Sequence, residues 1–214
     1  MERLQNREGI SPRLLLCKAE IKKKRLPDKD VFRDVDFVQQ NPMLDIDVGK
    51  MEVVEEAEMI SIQEIPVSKI NEFWDIQFQY VVNDGMITTE EEKEYFQSSE
   101  YQDVLKGHML RTPDTLHMVY FVRDGVNIGA SQYCTFKSED GKCFILDFWV
   151  FPEYRGNGTG HKCFQTLFEY TKKDGAMYYA LNYAKEDSHR FWLSLGFSDN
   201  GTDEYGSPLM IKRD

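Results

Sequence analysis

The stretch that most constrains this chain is FPEYRGNGTGHKCF, Phe151–Phe164. It follows Cys143–Val150, a run that is apolar except at Asp147. It precedes Phe164, Leu167, Phe168 and Thr171, which fall at helical spacing. A run that is apolar on both faces predicts a buried central strand, so the stretch is a strand-to-helix junction. Gly156, Gly158 and Gly160 stand at alternate positions in it. Glycines there keep side chains out of the way, so that successive N–H groups can point at one anion. The helix that follows adds its positive N-terminal end. A pyrophosphate is the natural guest, with Arg155 adding charge and Lys162 either assisting or solvated.

Two nucleotide loops fail on spacing. In a P-loop the lysine directly follows the last glycine, whereas here His161 separates Gly160 from Lys162. In a dinucleotide fingerprint the third glycine would come one position later, at the start of a parallel βαβ unit.

The surrounding pattern is of another kind. Met59–Ile65 alternates and predicts a strand ended by Pro66. Ile70, Phe73, Trp74, Phe78 and Val81 predict a helix, stopped at Asn83-Asp84-Gly85. Thr88 with Glu91 and Ser99 with Gln102 read as capping boxes for two short helices over about 89–110. Leu116–Arg123 and Asn127–Lys137 predict strands joined at Asp124-Gly125, and Ser138–Gly141 is a hairpin loop into Cys143–Val150. Ala176–Tyr183 is a further strand, Ser188–Leu195 a helix, and Phe197 and Leu209–Lys212 give the last strand or strands. This order predicts an α/β fold with a mixed, mostly antiparallel central sheet flanked by helices, not a doubly wound parallel one.

Arg155-Gly156-Asn157-Gly158-Thr159-Gly160 matches R/Q-x-x-G-x-G/A. About 30 residues on, Phe191-Trp192-Leu193-Ser194-Leu195-Gly196-Phe197 is similar to F-Y-x-x-x-G-F. Together, in this order, the two segments resemble the acyl-CoA loop and following helix of the GNAT superfamily of N-acyltransferases, over about Glu58–Arg213. The resemblance implies a GNAT-like domain over 58–214 after an N-terminal extension, 1–57. It implies acetyl-CoA as co-substrate, with Arg155–His161 cradling its pyrophosphate and the pantetheine arm paired like an extra strand where two strands splay. The thioester would lie near Phe148, Trp149 and Val150, with the Val150 N–H as oxyanion donor. Lys185, Ser188 and Trp192 would also line the co-substrate.

A protonated amine acceptor must lose a proton before it attacks a thioester. Asp147 is the one charged residue in its strand and lies where many relatives carry an acid; it reads equally as a base or as a partner of backbone amides. The leaving thiolate calls for a hydroxyl, yet Trp192 stands where the family's Tyr is usual, and an indole N–H is too weak an acid for the task. Tyr183 is the first alternative, with Ser188 or solvent behind it. Trp74, Phe78, Tyr80, Tyr95, Phe96 and Tyr101, with Glu90, Glu91, Glu92 and Glu94, form either an aromatic and acidic acceptor wall or core residues beside a solvated helix face. The missing Tyr leaves open a non-catalytic acyl-CoA sensor beside the N-acetyltransferase.

Charge and composition bound the rest. Net charge is −11, but residues 1–33 carry ten Lys and Arg against five Asp and Glu, which leaves the body strongly acidic. An acidic body argues against nucleic-acid binding and suits a small cationic amine, although solubility alone explains it too. The basic arm docks on that body, is mobile, or binds a partner or nucleic acid. No apolar run nears the roughly 20 residues of a membrane span, and Leu14–Cys17 is too short for a signal peptide. The expectation is a cytoplasmic protein without a membrane partner, with homodimerisation open. Cys17, Cys134, Cys143 and Cys163 form no C-x-x-C pair and read as reduced thiols, with no metal expected.

Overall fold

The structure, a computed structural model, describes residues 59–213. The extension expected over 1–57, with its basic arm and Cys17, lies outside the described residues. Seven strands form one sheet in the order β1-β2-β3-β4-β5-β7-β6. They are β1 (Ser61–Glu64), β2 (Leu116–Arg123), β3 (Val126–Phe136), β4 (Lys142–Val150), β5 (Tyr178–Asn182), β6 (Ser198–Thr202) and β7 (Pro208–Arg213). Every pairing is antiparallel except β4 with β5. The helices are α1 (Ile70–Asn83), α2 (Glu90–Gln97), α3 (Ser99–Met109), α4 (Thr159–Lys173) and α5 (Glu186–Ser194). None is long and apolar enough to cross a membrane.

Two apolar layers sandwich the sheet. On one face α4 buries Cys163, Phe164, Leu167 and Phe168 against Phe121, Ile145 and Tyr179. On the other, α1 buries Ile70, Phe73 and Trp74 against Met118, Tyr120 and Trp149. Each such side chain stabilises the fold by about 1.5–3 kcal/mol relative to exposure. Cys143 and Cys163 lie in this interior, where burial pushes both thiols up to about 12. They pack as small apolar groups. At the β2–β3 turn Asp124 and Gly125 both take positive φ, 52° and 76°, as a two-residue hairpin of this twist requires.

The helix caps sit one residue from their predicted places. Thr89, not Thr88, caps α2 and shares its box with Glu92; the Glu92 carboxylate also accepts from the Thr88 N–H at 3.0 Å. Ser98, not Ser99, caps α3, accepting from the Tyr101 N–H at 3.2 Å. Thr-Thr, Glu-Glu-Glu and Ser-Ser repeats offer two equivalent cap spacings, and only the folded turn chooses between them.

One irregularity shapes the site. Gln132 pairs with Asp147 while its neighbour Tyr133 pairs with Ile145, so Leu146 is an extra residue in β4. Such a bulge bends its strand. Beyond it the parallel ladder to β5 stops, its last pair being Ile145 with Leu181. Residues 146–150 of β4 diverge from β5 and open a cleft.

Candidate active site

The cleft is built from the ends of four elements. β4 supplies its free edge, the loop into α4 its floor, the start of α5 the far wall, and the C-terminal end of α1 the near wall. A cavity of about 520 Å³ lies at the loop, and a smaller one of about 100 Å³ lies beside the bulge. They share Tyr80, Asp84, Phe148, Lys185, Ser188 and Phe191, so they form one passage.

The loop has the conformation its glycines permit. Gly156, Asn157 and Gly158 take φ of 92°, 48° and 74°, the left-handed region that favours glycine. A Cβ on Gly156 or Gly158 would meet no protein atom within 4 Å, so the space above both is open. Gly160 serves packing instead, since a Cβ there would stand 3.0 Å from the Phe191 ring. The Thr159 and Lys162 N–H groups are used within the loop and first turn, donating to Gly156 and Gly158 carbonyls. The N–H groups of Gly160 and His161 have no carbonyl one turn earlier inside the helix and point out of its N-terminus.

The β4 edge is oriented by alternation. Phe151 N–H donates to the Ile128 carbonyl on β3 at 3.0 Å. Two residues at a time, the same alternation turns the Phe148 and Val150 N–H groups away from β3 and into the cleft. Phe148 N–H is occupied by the Asp147 carboxylate at 2.9 Å. The Val150 carbonyl, on the same side, accepts from Arg155 Nε at 2.9 Å, which ties the loop to the strand end.

Asp147 lies in the smaller cavity. Besides the Phe148 amide it holds Gln77 Nε2 of α1 at 3.1 Å. Gln77 is buried, and its own Oε1 has no hydrogen-bond partner.

Residues 75–197 match the model of the Acetyltransferase (GNAT) family. The chain belongs to this family. The sheet and helices are similar to those of solved GNAT structures. PaiA N-acetyltransferase from Thermoplasma acidophilum, in complex with coenzyme A, is 18% identical over 72% of this chain and 99% of that one, with a TM-score of 0.57. N-acetylglutamate synthase from Neisseria gonorrhoeae, complexed with coenzyme A and N-acetyl-glutamate, is 16% identical over 74% of this chain and 36% of that one, at 0.51. Aminoglycoside acetyltransferase AAC(6')-Ib in complex with coenzyme A is 14% identical over 72% and 94%, at 0.50. At these identities the likeness is one of fold. No curated protein matches the sequence.

Within this GNAT fold the expected site residues separate into groups. Phe148, Trp149, Val150, Arg155, Gly156, Gly158, Thr159 and Gly160 border the larger cavity. Lys185 and Ser188 border it from α5, where Ser188 Oγ donates to the Lys185 carbonyl at 2.7 Å and so serves the helix start. His161 lines it too, but its Nε2 meets Ser194 Oγ at 2.9 Å and joins α4 to α5. Asn157 bends the loop and does not line the cavity. Phe148 packs between Phe121 and Phe191, and Trp149 turns to the α1 face, stacked on Tyr80 at 5.0 Å. Trp192 touches the smaller cavity but is a buried packing residue, held edge-on by Phe148, Phe164 and Phe197 at 5.2–5.7 Å.

Tyr183 is not brought to the cleft. It follows the end of β5, borders neither cavity and stacks on His189 at 4.4 Å. The aromatic acceptor wall likewise resolves into core. Trp74, Phe96 and Tyr101 are buried, Phe78 packs on Phe96, and Tyr95 packs on Tyr101. Glu92 is spent on the α2 cap and Glu90 pairs with Lys93. Of that group only Tyr80 reaches the cleft.

Three features escaped sequence reasoning: Gln77, Asp84 and the bulge at Leu146. Gln77 carried a signal, since it is a polar residue four after Phe73 and four before Val81 on the buried stripe of α1. Asp84 looked like part of a helix stop, which it also is.

Proposed function

We propose that the chain transfers an acetyl group from acetyl-CoA to the primary amine of a small or cationic acceptor, by direct attack. The observation that carries this is the divergence of β4 from β5 between the glycine loop and Asp147. It supplies a phosphate cradle, an unpaired strand edge and a carboxylate along one passage. Relatives of the same fold solved with coenzyme A support the co-substrate.

In this reading the Gly156–His161 backbone and Arg155 receive the pyrophosphate, and the β4 edge pairs with the pantetheine amides. The thioester carbonyl then lies by the Val150 N–H, which stabilises the oxyanion as the amine attacks. Asp147 takes the proton from the ammonium, directly or through water, with Gln77 fixing its carboxylate. The tetrahedral intermediate collapses by breaking the C–S bond. The departing thiolate takes a proton from Tyr80, the tyrosine among the residues bordering this passage, or from water. Asp84 and Asp147 in the cleft, and the acidic body, favour a cationic acceptor, and we place the protein in the cytoplasm.

Incubation with acetyl-CoA and a panel of primary amines, followed by thiol release, tests the reading. Turnover with at least one amine, lost in Asp147→Asn, is the expected result. A second reading, an acyl-CoA sensor without turnover, draws on Trp192 being a core residue where a hydroxyl is usual. Coenzyme A binding with no thiol release from any amine would favour it.

A further inference from the structure

Asp84 is at odds with the cradle it borders. The cavity at the start of α4 offers backbone amides, Arg155 and Lys185, which suit a polyanion, yet this carboxylate lies among them. Asp187, the other carboxylate on that wall, is paired with Arg190 three residues along α5. Asp84 is instead held by the cations of the cradle itself. Its Oδ2 lies 3.1 Å from Lys185 Nζ, its backbone carbonyl accepts a further bond from the same ammonium, and its Oδ1 lies 3.8 Å from the Arg155 guanidinium. From the end of α1 it reaches Arg155 of the loop and Lys185 at the start of α5. There it also borders the inner cavity of Asp147.

We infer that Asp84 is a stand-in anion: it holds Arg155 and Lys185 in the free protein and yields them to the phosphate groups of acyl-CoA. The inference rests on the acyl-CoA reading above. All three side chains are partly exposed, between 30% and 49%, so the pairs are weak and exchangeable. A phosphate carries more charge and meets a guanidinium through two parallel bonds, so it wins the exchange. Until then Asp84 keeps two neighbouring cations from repelling one another out of position. Once displaced, its negative charge stands uncompensated where the cradle meets the inner cavity, and a cationic amine is drawn there only when acyl-CoA is in place.

Calorimetric titration with coenzyme A tests this on the wild type, Asp84→Asn, Lys185→Met and the double variant. Asp84→Asn removes the competitor and should tighten coenzyme A about three- to tenfold, the scale of two exposed ion pairs. Lys185→Met should weaken it, and the gain from Asp84→Asn should shrink in the double variant. If Asp84→Asn fails to fold, Asp84→Ser carries the same comparison. Equal or weaker binding by the Asp84 variant, with the wild type binding, would overturn the inference alone and make Asp84 a brace. A wild type that does not bind coenzyme A overturns both this inference and the acyl-CoA reading.

Discussion

Gln77 on α1 donates through Nε2 to Asp147 Oδ2 on β4 at 3.1 Å, joining the helical layer to the strand immediately after its bulge. The bond fixes the carboxylate from below, while the Phe148 amide fixes it from the side. Hydrogen bonds to a charged group contribute roughly 1.5–3 kcal/mol. Gln77→Leu should therefore lower kcat by about one to two powers of ten while leaving the coenzyme A Kd unchanged. Steady-state kinetics beside calorimetry would show the split; an equal loss in both would mean the helix had simply moved.

Tyr80 is the hydroxyl the proposed mechanism places at the leaving thiolate. Tyr80→Phe keeps the stack on Trp149 and removes only the oxygen. Thiol release should slow about tenfold with little change in melting temperature, which is the scale of a general acid partly replaced by water. An unchanged rate would assign the proton to solvent.

Gly158 caps α4 at φ 74°. A β-branched residue is a poor fit there, and each left-handed L-residue costs roughly 1–2 kcal/mol. Gly158→Val should lose coenzyme A binding through a reshaped loop. Gly160→Val should fail differently: its side chain meets Phe191, so thermal stability should fall along with binding. Differential scanning calorimetry of the two variants distinguishes conformation from packing.

His108 on α3 gives a dependence on pH unrelated to the site. Burial, with Arg111 nearby adding repulsion, lowers it from the usual 6.5 to about 4. Between those values the unfolded chain binds a proton that the folded chain refuses. Stability is therefore unaffected above about 6.5 and declines as pH falls toward 4. His108→Gln should show a smaller drop in urea midpoint between pH 7 and 4.5 than the wild type.

Much of this was legible because it lies in local pattern. The run Cys143–Val150, the glycine spacing and the FW-x-x-x-GF segment each depend on neighbours in sequence, and the structure carries β4, the loop and α5 in that order. Tyr183 was misjudged because its ring stacks on His189, a contact with the following helix that residue type does not reveal. The aromatic residues of α1–α3 were ambiguous for a similar reason: helical spacing marks a buried stripe equally well whether it meets a ligand or another helix. Asp84 and Lys185 are 101 residues apart, and no local period connects them. The Leu146 bulge leaves no trace in composition at all, since an extra leucine in an apolar run looks like a longer strand.

That single added residue also bears on how the free edge is exposed. An unpaired strand edge is ordinarily a hazard, because any other extended chain can zip onto it and seed aggregation. Here the free edge of 146–150 lies inside the sheet rather than at its border, with β3 paired on its other side, β5, β7 and β6 beyond it and residues of α5 lining the gap. A neighbouring molecule's strand cannot slide in from the side, whereas a thin flexible arm can enter from the end. The bulge thus leaves a free edge in the middle of the sheet, where a strand approaching from the side has no access.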